Sequence, residues 1–327
     1  MSRHTAGAEV ALARVMAHCG GDPAEAMGYL SSAIAAAPHH PDAYAVIAEL
    51  RQSASAATTA FVEGARSPGG LAAQAFLMFL DDDMDDAALT IGTITGFAPT
   101  VAWATAPWFG DPRFLTSVSA EALAEAAMRT MDYGHPLDTD DVRKRFRPWF
   151  HAIETVSTRH PRPESLARMA ILLRACGLIP ASLALCDKAD AVERTMLTEV
   201  VRGGTWRRVG DLEQAAAAFE RATELDPTNW SLYLDLADIR ADQGDFAAAV
   251  ELTDRGLAHG PTEITLRAAR AAYRTRLAGS AADLADLVEM APQLPNAGYR
   301  NLLIDQACDG PNLPADLVVA ARNVRES

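Results

Sequence analysis

The chain has 327 residues, of which 49% are hydrophobic, 22% are charged and only 6% are aromatic, and its formal net charge is −14. This composition supplies a large core, which excludes a mainly disordered chain, and the scarcity of aromatic residues favours closely packed helices over a β-sandwich or β-barrel. Because a negative field repels phosphate backbones, we expect no nucleic-acid partner.

A helical pattern begins near the N-terminus. Gly21 and Asp22 precede an alanine-rich amphipathic stretch that ends at Pro38, and a shortened helix follows over about residues 56–66. Asp is a preferred N-cap residue, and Pro ends a helix. We therefore predict degenerate helical hairpins over residues 1–101.

The acidic run 81–86 precedes the last helix of this region. Its alternate aspartates imitate the opening of an EF-hand loop, but Asp86 stands where that loop needs glycine and Gly92 where it needs glutamate. The run therefore predicts an acidic turn that caps the next helix, and we expect no bound metal.

Residues 102–160 break the pattern. Three of the five tryptophans fall here, Ser119 is placed to cap one helix, and a basic helix is predicted to begin at Asp138 with a kink at Pro148. We interpret this segment as an irregular helical junction between two repeat stacks, with its aromatic side chains packed into the join.

A second interpretation of the same segment is a central pocket. In that case Trp108, Trp149 and His151 would surround an apolar ligand or a peptide side chain. The sequence leaves both interpretations open.

The pattern is most regular in the array 161–295. Gly210 and Asp211 recur 34 residues later as Gly244 and Asp245, and each pair precedes an alanine-rich helix that a proline ends. Aspartate is predicted to cap the second helix of each hairpin, and the glycine before it to end the first helix in the left-handed conformation. A fixed period of this length indicates stacked helical hairpins.

Further helices complete the predicted elements, and residues 296–327 are expected to cap the stack. The predicted ranges are 264–277, 281–291, 297–308 and 314–324.

The stretch LEQAAAAFERATELDP, residues 212–227, resembles the second helix of a tetratricopeptide repeat, and Gly203, Trp206 and Tyr233 match part of the first-helix signature. The resemblance implies an all-α, right-handed α-solenoid of hairpins whose first helices line a concave surface. It also implies a non-catalytic scaffold or adaptor that binds a protein or an extended peptide.

Transferring the family's inner-facing positions yields candidate binding residues on that surface. They are Arg174, Leu197, Arg207, Arg208, Leu234, Asp238, Tyr273 and Arg274. Apolar positions among arginines suit a peptide that carries carboxylates, so an acidic partner is one expectation. The Lys and Asn of the chaperone carboxylate clamp are absent, because those places hold residues such as Ala167, Val201 and Asp235. Binding of chaperone tails is therefore disfavoured.

No phosphate-binding loop, nucleophile elbow, HExxH motif or dinucleotide fingerprint occurs, so we expect no cofactor and favour a protein without catalytic activity. Two alternatives stay open. One is a peptide-sensing regulatory receptor without a DNA-binding domain, and the other is an enzyme or small-molecule binder that uses the tryptophan-rich centre. Self-association is also open, because the ends of a solenoid expose apolar surface.

The cysteine pattern and the lack of long apolar runs indicate in which cellular compartment the protein is expected. Four cysteines without a CxxC pair indicate no disulfide scaffold, and Cys176 and Cys186 are expected as small buried thiols. Residues 1–20 hold no apolar leader, and no run is long enough for a membrane span. Lys144 and Lys188 are the only lysines among 29 basic residues, which is typical of a GC-rich bacterial genome. We expect a cytoplasmic bacterial protein without a membrane partner.

Overall fold

The computed structural model describes residues 3–159 and 161–326, and throughout that part of the chain the regular elements are helices. The all-α fold expected from the composition is confirmed. The helices form two compact units, Met1–Arg194 and Thr195–Ser327. The boundary between these units lies inside the stretch 161–295 that the sequence pattern treats as one array.

Within its described residues, the first unit contains twelve α-helices and two short 3₁₀ turns, Trp103–Thr105 and Pro107–Gly110. The helices are α1 (Arg3–Cys19), α2 (Pro23–Ala36), α3 (Pro41–Ser53), α4 (Ser55–Gly64), α5 (Pro68–Leu80), α6 (Met84–Phe97), α7 (Pro112–Ser117), α8 (Ala120–Arg129), α9 (Asp140–Arg145), α10 (Arg147–Arg159), α11 (Pro163–Ala175) and α12 (Ile179–Asp190).

Hairpins alternate with an irregular centre in the first unit. Helices α1 and α2, α5 and α6, and α11 and α12 pack as hairpins, and α8 packs against both α6 and α11. The close approach of α6 and α8 depends on Gly92, because a Cβ there would collide with the carbonyl oxygen of Ala126. A small residue at this crossing lets the two helix backbones touch.

Local capping decides where the central helices begin. The side chain of Ser119 accepts a hydrogen bond from the N–H of Ala122, so the predicted cap of α8 is confirmed. The basic helix does not begin at Asp138, because Thr139 caps it through the N–H of Val142 at 3.3 Å. The predicted kink near Pro148 is a full break, since α9 ends at Arg145 and α10 begins at Arg147.

The acidic run 81–86 does not cap α6. The residue at the N-cap, Asp83, makes no side-chain capping bond. Two neighbouring carboxylates contact other helices instead. Asp81 pairs with Arg51 of α3 at 3.0 Å, and Asp85 accepts a hydrogen bond from the N–H of Ser119, the cap of α8, at 2.7 Å. The prediction of a capping turn was wrong, because the carboxylate at the N-cap position accepts no N–H of α6.

The described residues of the second unit form eight α-helices and one 3₁₀ turn, Ala291–Gln293. The helices are α13 (Met196–Val209), α14 (Leu212–Leu225), α15 (Trp230–Asp242), α16 (Phe246–His259), α17 (Ile264–Ala278), α18 (Ala281–Met290), α19 (Ala297–Cys308) and α20 (Ala315–Glu326). The predicted C-terminal helices agree with these bounds to within two residues.

The second unit is a regular series of hairpins, in which α13, α15, α17 and α19 are first helices and α14, α16, α18 and α20 are second helices. The predicted caps are confirmed, since Asp211 accepts the N–H of Gln214 and Asp245 that of Ala248. Gly210 has the expected left-handed backbone, with a φ of +83°. These local signals explain why each hairpin turns where it does.

Candidate functional site

A group of charged and phenolic side chains connects the four first helices of the second unit. We call this group the carboxylate network, and it consists of Arg207 on α13, Asp235, Asp238 and Asp242 on α15, Tyr273 on α17 and Tyr299 on α19. The three aspartates follow the spacing i, i+3, i+7, so they lie along one face of α15.

Asp238 is the centre of the network. It is only 7% exposed, and its Oδ1 accepts hydrogen bonds from the hydroxyl of Tyr273 and, at 2.7 Å, from that of Tyr299. Burial raises the pKa of Asp238, and the two tyrosine hydrogen bonds oppose that rise. Burial and the neighbouring Asp238 raise the pKa of both tyrosines, so the phenols stay protonated donors.

Arg207 joins α13 to α15. Its Nη2 lies 2.8 Å and its Nε 3.2 Å from Oδ2 of Asp242, and its Nη1 lies 3.8 Å from Asp238. Burial alone would lower the pKa of Arg207, but the two carboxylates outweigh it and the pKa is raised. The guanidinium is therefore held as a cation by carboxylates of its own chain.

Asp235 is the network's unpaired acid. It makes no hydrogen bond or ion pair with the residues that the structure describes. Burial first, and then repulsion from Asp238, raises the pKa of Asp235 to about 7, while Arg207 opposes the rise. A partly protonated carboxyl therefore lies beside the paired ones at neutral pH.

The structure brings only some of the predicted groove residues together. Arg207, Asp238 and Tyr273 are linked directly, and Leu234 packs against the same core. Arg274 instead pairs with Asp283 on α18 at 3.4 Å.

The remaining predicted residues lie elsewhere. Arg208 is exposed, Leu197 is half-buried at the start of α13, and Arg174 belongs to the first unit. Tyr299 was not predicted, because α19 follows an irregular turn and no period carries its register from the earlier hairpins.

The central tryptophans form a packed aromatic cluster. The ring of Phe109 lies 4.9 Å from that of Trp149 and 6.0 Å from that of Trp108, and both tryptophans are at most 3% exposed. His151 lies on the same helix as Trp149 but is exposed to solvent. The three residues of the predicted pocket thus divide between core and surface.

Neither an ion site nor a membrane span occurs in the described ranges. Among these residues, His, Cys, Asp and Glu form no group of three or more that is suited to a metal ion. No helix in the same part of the chain is long and apolar enough to cross a bilayer.

Stacked hairpins joined by a network on their first helices define a helical-repeat protein. Residues 208–273 match the family model described as tetratricopeptide repeat, which confirms the resemblance predicted from the sequence. A comparison with curated proteins gives no match.

Solved structures with similar hairpins come from several bacteria. A thermophilic tetratricopeptide-repeat protein of Thermus thermophilus is 16% identical, with 63% of this chain and 98% of that chain covered and a TM-score of 0.38. A tetratricopeptide-repeat protein of Parabacteroides merdae is 11% identical, with 99% and 100% covered and a TM-score of 0.40. Pseudomonas aeruginosa pilF is 12% identical, with 73% and 97% covered and a TM-score of 0.42. At these TM-scores no conclusion about function is carried across.

Proposed function

We propose that the protein is a non-catalytic scaffold that binds an extended segment of a partner protein along the first helices of its second unit. The observation that carries this proposal is the carboxylate network, which joins polar groups of four successive first helices and leaves Arg207, Asp235 and Asp242 at least partly exposed. A preorganised surface of this kind binds an extended chain at low entropic cost.

The charge of the network favours a basic residue in the partner. Three carboxylates surround the single guanidinium of Arg207, and Asp235 is the one without an ion pair among the described residues. A lysine or arginine side chain beside Asp235 would lower the pKa of that carboxyl and satisfy it. We therefore propose that the partner segment places a cation there.

An acidic partner is the competing form of the proposal. This form places the partner's carboxylate beside Arg208, which is exposed. The two forms predict opposite preferences among peptides, which makes them easy to separate.

The test uses the full chain and three fluorescent decapeptides that differ only in a central lysine, glutamate or alanine. We expect the lysine peptide to bind most tightly, to lose about tenfold in affinity with Asp235→Asn, and to be unaffected by Arg208→Glu. Asp254→Asn on the second helix α16, where the side chain is 56% exposed, is the matched control.

Two results would overturn the basic form. Preference for the glutamate peptide, lost in Arg208→Glu, would establish the acidic form instead. Equal binding by all variants would move the binding site away from this surface.

We propose the cytoplasm as the location, since none of the four cysteines forms a disulfide in the part of the chain that the structure describes, which fits a reducing compartment. Cys176 and Cys186 are both buried, as the sequence predicted. Self-association stays a prediction, which light scattering of the purified chain checks directly.

A further inference from the structure

The first unit contains a cleft whose lining carries fewer charges than the equivalent cleft of the second unit. We call it the α10–α12 groove. It is a cleft of about 370 Å³ between α10 and α12, with Leu173 of α11 among its lining residues. Its walls are stripes at the spacing i, i+3, i+4, i+7 on each helix. They are Phe150, Ile153, Glu154 and Ser157 on α10, and Ala181, Ala184, Leu185 and Lys188 on α12.

A cleft of the same construction lies in the second unit. We call it the α14–α16 groove, a cleft of about 520 Å³ between those helices and over α15. Equivalent positions of the two grooves are 67 residues apart in sequence, which is one repeat of 33 residues plus one of 34. Helix α12 begins at Ile179 and α16 at Phe246, so the helices themselves are in register.

Four charged positions of the α14–α16 groove are uncharged in the α10–α12 groove. Glu220, Glu224, Arg240 and Glu251 are replaced by Ile153, Ser157, Leu173 and Ala184, respectively. In the second unit two of these charges pair with each other, since Arg240 lies 3.2 Å from Glu220. The first unit carries no charge at these four positions, so its cleft is mainly apolar.

One cation is kept in both grooves. Arg255 of the second unit lies over the ring of Tyr233 at 5.1 Å, whereas Lys188 of the first unit has the buried Leu166 at the position of that tyrosine. The Nζ of Lys188 lies 3.4 Å from Oγ of Ser157, and Lys188 forms no ion pair with the described residues. A mainly apolar cleft, with Glu154 on its α10 wall, therefore ends at an ammonium group that has no ion pair with the described residues.

We propose that the α10–α12 groove binds an amphipathic helix of a partner protein. Leucine-like side chains of that helix fill the cleft, and a carboxylate about one turn beyond them meets Lys188. Parallel stripes two turns long suit the i, i+3, i+4, i+7 anchors of a bound helix. The unpaired ammonium selects an acidic residue at that end by charge complementarity.

This proposal does not depend on the function proposed for the carboxylate network. The two surfaces belong to different units, and they favour opposite charges in their partners. Loss of one binding activity therefore leaves the other measurable.

The probe is a fluorescent amphipathic model peptide of about 14 residues, roughly four helical turns, with one leucine stripe and a glutamate one turn beyond it. Two companions carry lysine in place of that glutamate, or alanine in place of the leucines. Anisotropy titrations with the full chain measure affinity. We expect the glutamate peptide to bind most tightly and the alanine peptide least.

Two variants test the groove residues. Ala184→Glu introduces the residue of the other groove at an exposed position, and we expect an affinity loss of about tenfold or more because a carboxylate then enters the apolar cleft. Lys188→Glu is expected to reverse the preference from the glutamate to the lysine peptide. Arg255→Glu, at the position equivalent to Lys188, is the matched control and should leave affinity unchanged. Circular dichroism checks that each variant is folded.

Three results would overturn the proposal. No binding of any peptide at about 1 mM excludes the site at meaningful affinity. Unchanged affinity in both Ala184→Glu and Lys188→Glu, or an equal loss in Arg255→Glu, moves binding to another surface. Concentration-dependent dimerisation that Ala184→Glu abolishes would identify a second copy of this chain as the occupant.

Discussion

The centres of the two units differ in one kind of side-chain contact. In the first unit, Trp108, Phe109 and Trp149 pack ring against ring at an irregular junction. In the second unit, Asp238 is buried among hydrogen-bond donors from two other first helices. Apolar contact has no preferred direction, so it tolerates short helices and breaks such as that between α9 and α10. A buried carboxylate needs its donors at set distances, so it requires hairpins in regular register.

The largest expected effect is a loss of stability when the aromatic junction is disrupted. Trp149→Ala removes a large side chain that is 1% exposed, and we expect a loss of about 3–5 kcal/mol in the free energy of unfolding. Urea denaturation followed by circular dichroism measures it. His151→Ala, two residues along the same helix but exposed, is the control and should change stability by less than about 0.5 kcal/mol. Equal effects would mean that the junction is not a packed core.

The next effect concerns the carboxylate network. Asp238→Ala leaves the hydroxyls of Tyr273 and Tyr299 buried without their acceptor, and we expect a loss of about 2–3 kcal/mol. Asp238→Asn keeps a carbonyl acceptor, so it should lose less. Denaturation of both variants beside the wild-type chain separates the lost hydrogen bonds from the lost charge. An alanine variant as stable as the wild type would contradict the structural role of the network.

A smaller effect is expected at the crossing of α6 and α8. Gly92→Ala forces these backbones apart, which should cost about 1–3 kcal/mol. Gly28→Ala is the matched control, because a Cβ at Gly28 meets nothing within 4 Å. There the better helix propensity of alanine should stabilise the chain by up to about 1 kcal/mol. Melting temperatures of the two variants should therefore move in opposite directions.

The remaining effect is a pH dependence from Asp235. Its pKa is about 7 in the folded chain against an ordinary value of 3.8, so between these values the folded state holds a proton that the unfolded state releases. Stability from this group therefore falls as pH rises through that window. Denaturation midpoints at several pH values should show a shallower fall in Asp235→Asn than in the wild type. Identical pH profiles would mean that the surroundings of Asp235 do not raise its pKa.

Much of the fold was predictable because its signals are local. Asp211 and Asp245 cap helices within three residues of themselves, and Gly210 ends a helix by its own backbone conformation. The 34-residue period then repeats these signals, which is sufficient to identify stacked hairpins. The family model that confirms the tetratricopeptide resemblance matches residues 208–273, which contain these same capping signals.

The site was only partly predictable. Arg207, Asp238 and Tyr273 were selected individually from inner-facing positions, and the structure links them. The sequence suggests Arg207 as a contact for a carboxylate of a partner, whereas in the structure it pairs with Asp242, 35 residues away in sequence. That ion pair exists only once α13 and α15 pack. Tyr299 had no sequence signal at all, since the turn before α19 interrupts the period.

By itself the sequence determined the class of protein, the hairpin boundaries and the capping residues, because these depend on neighbours within a few residues. Only the tertiary structure decided which charges are paired within the described part of the chain and which are not. Lys188 and Arg255 occupy equivalent positions in sequence, yet one ends an apolar cleft and the other covers a tyrosine ring. Burial and distance decide that difference, and both arise from helices distant in sequence packing together.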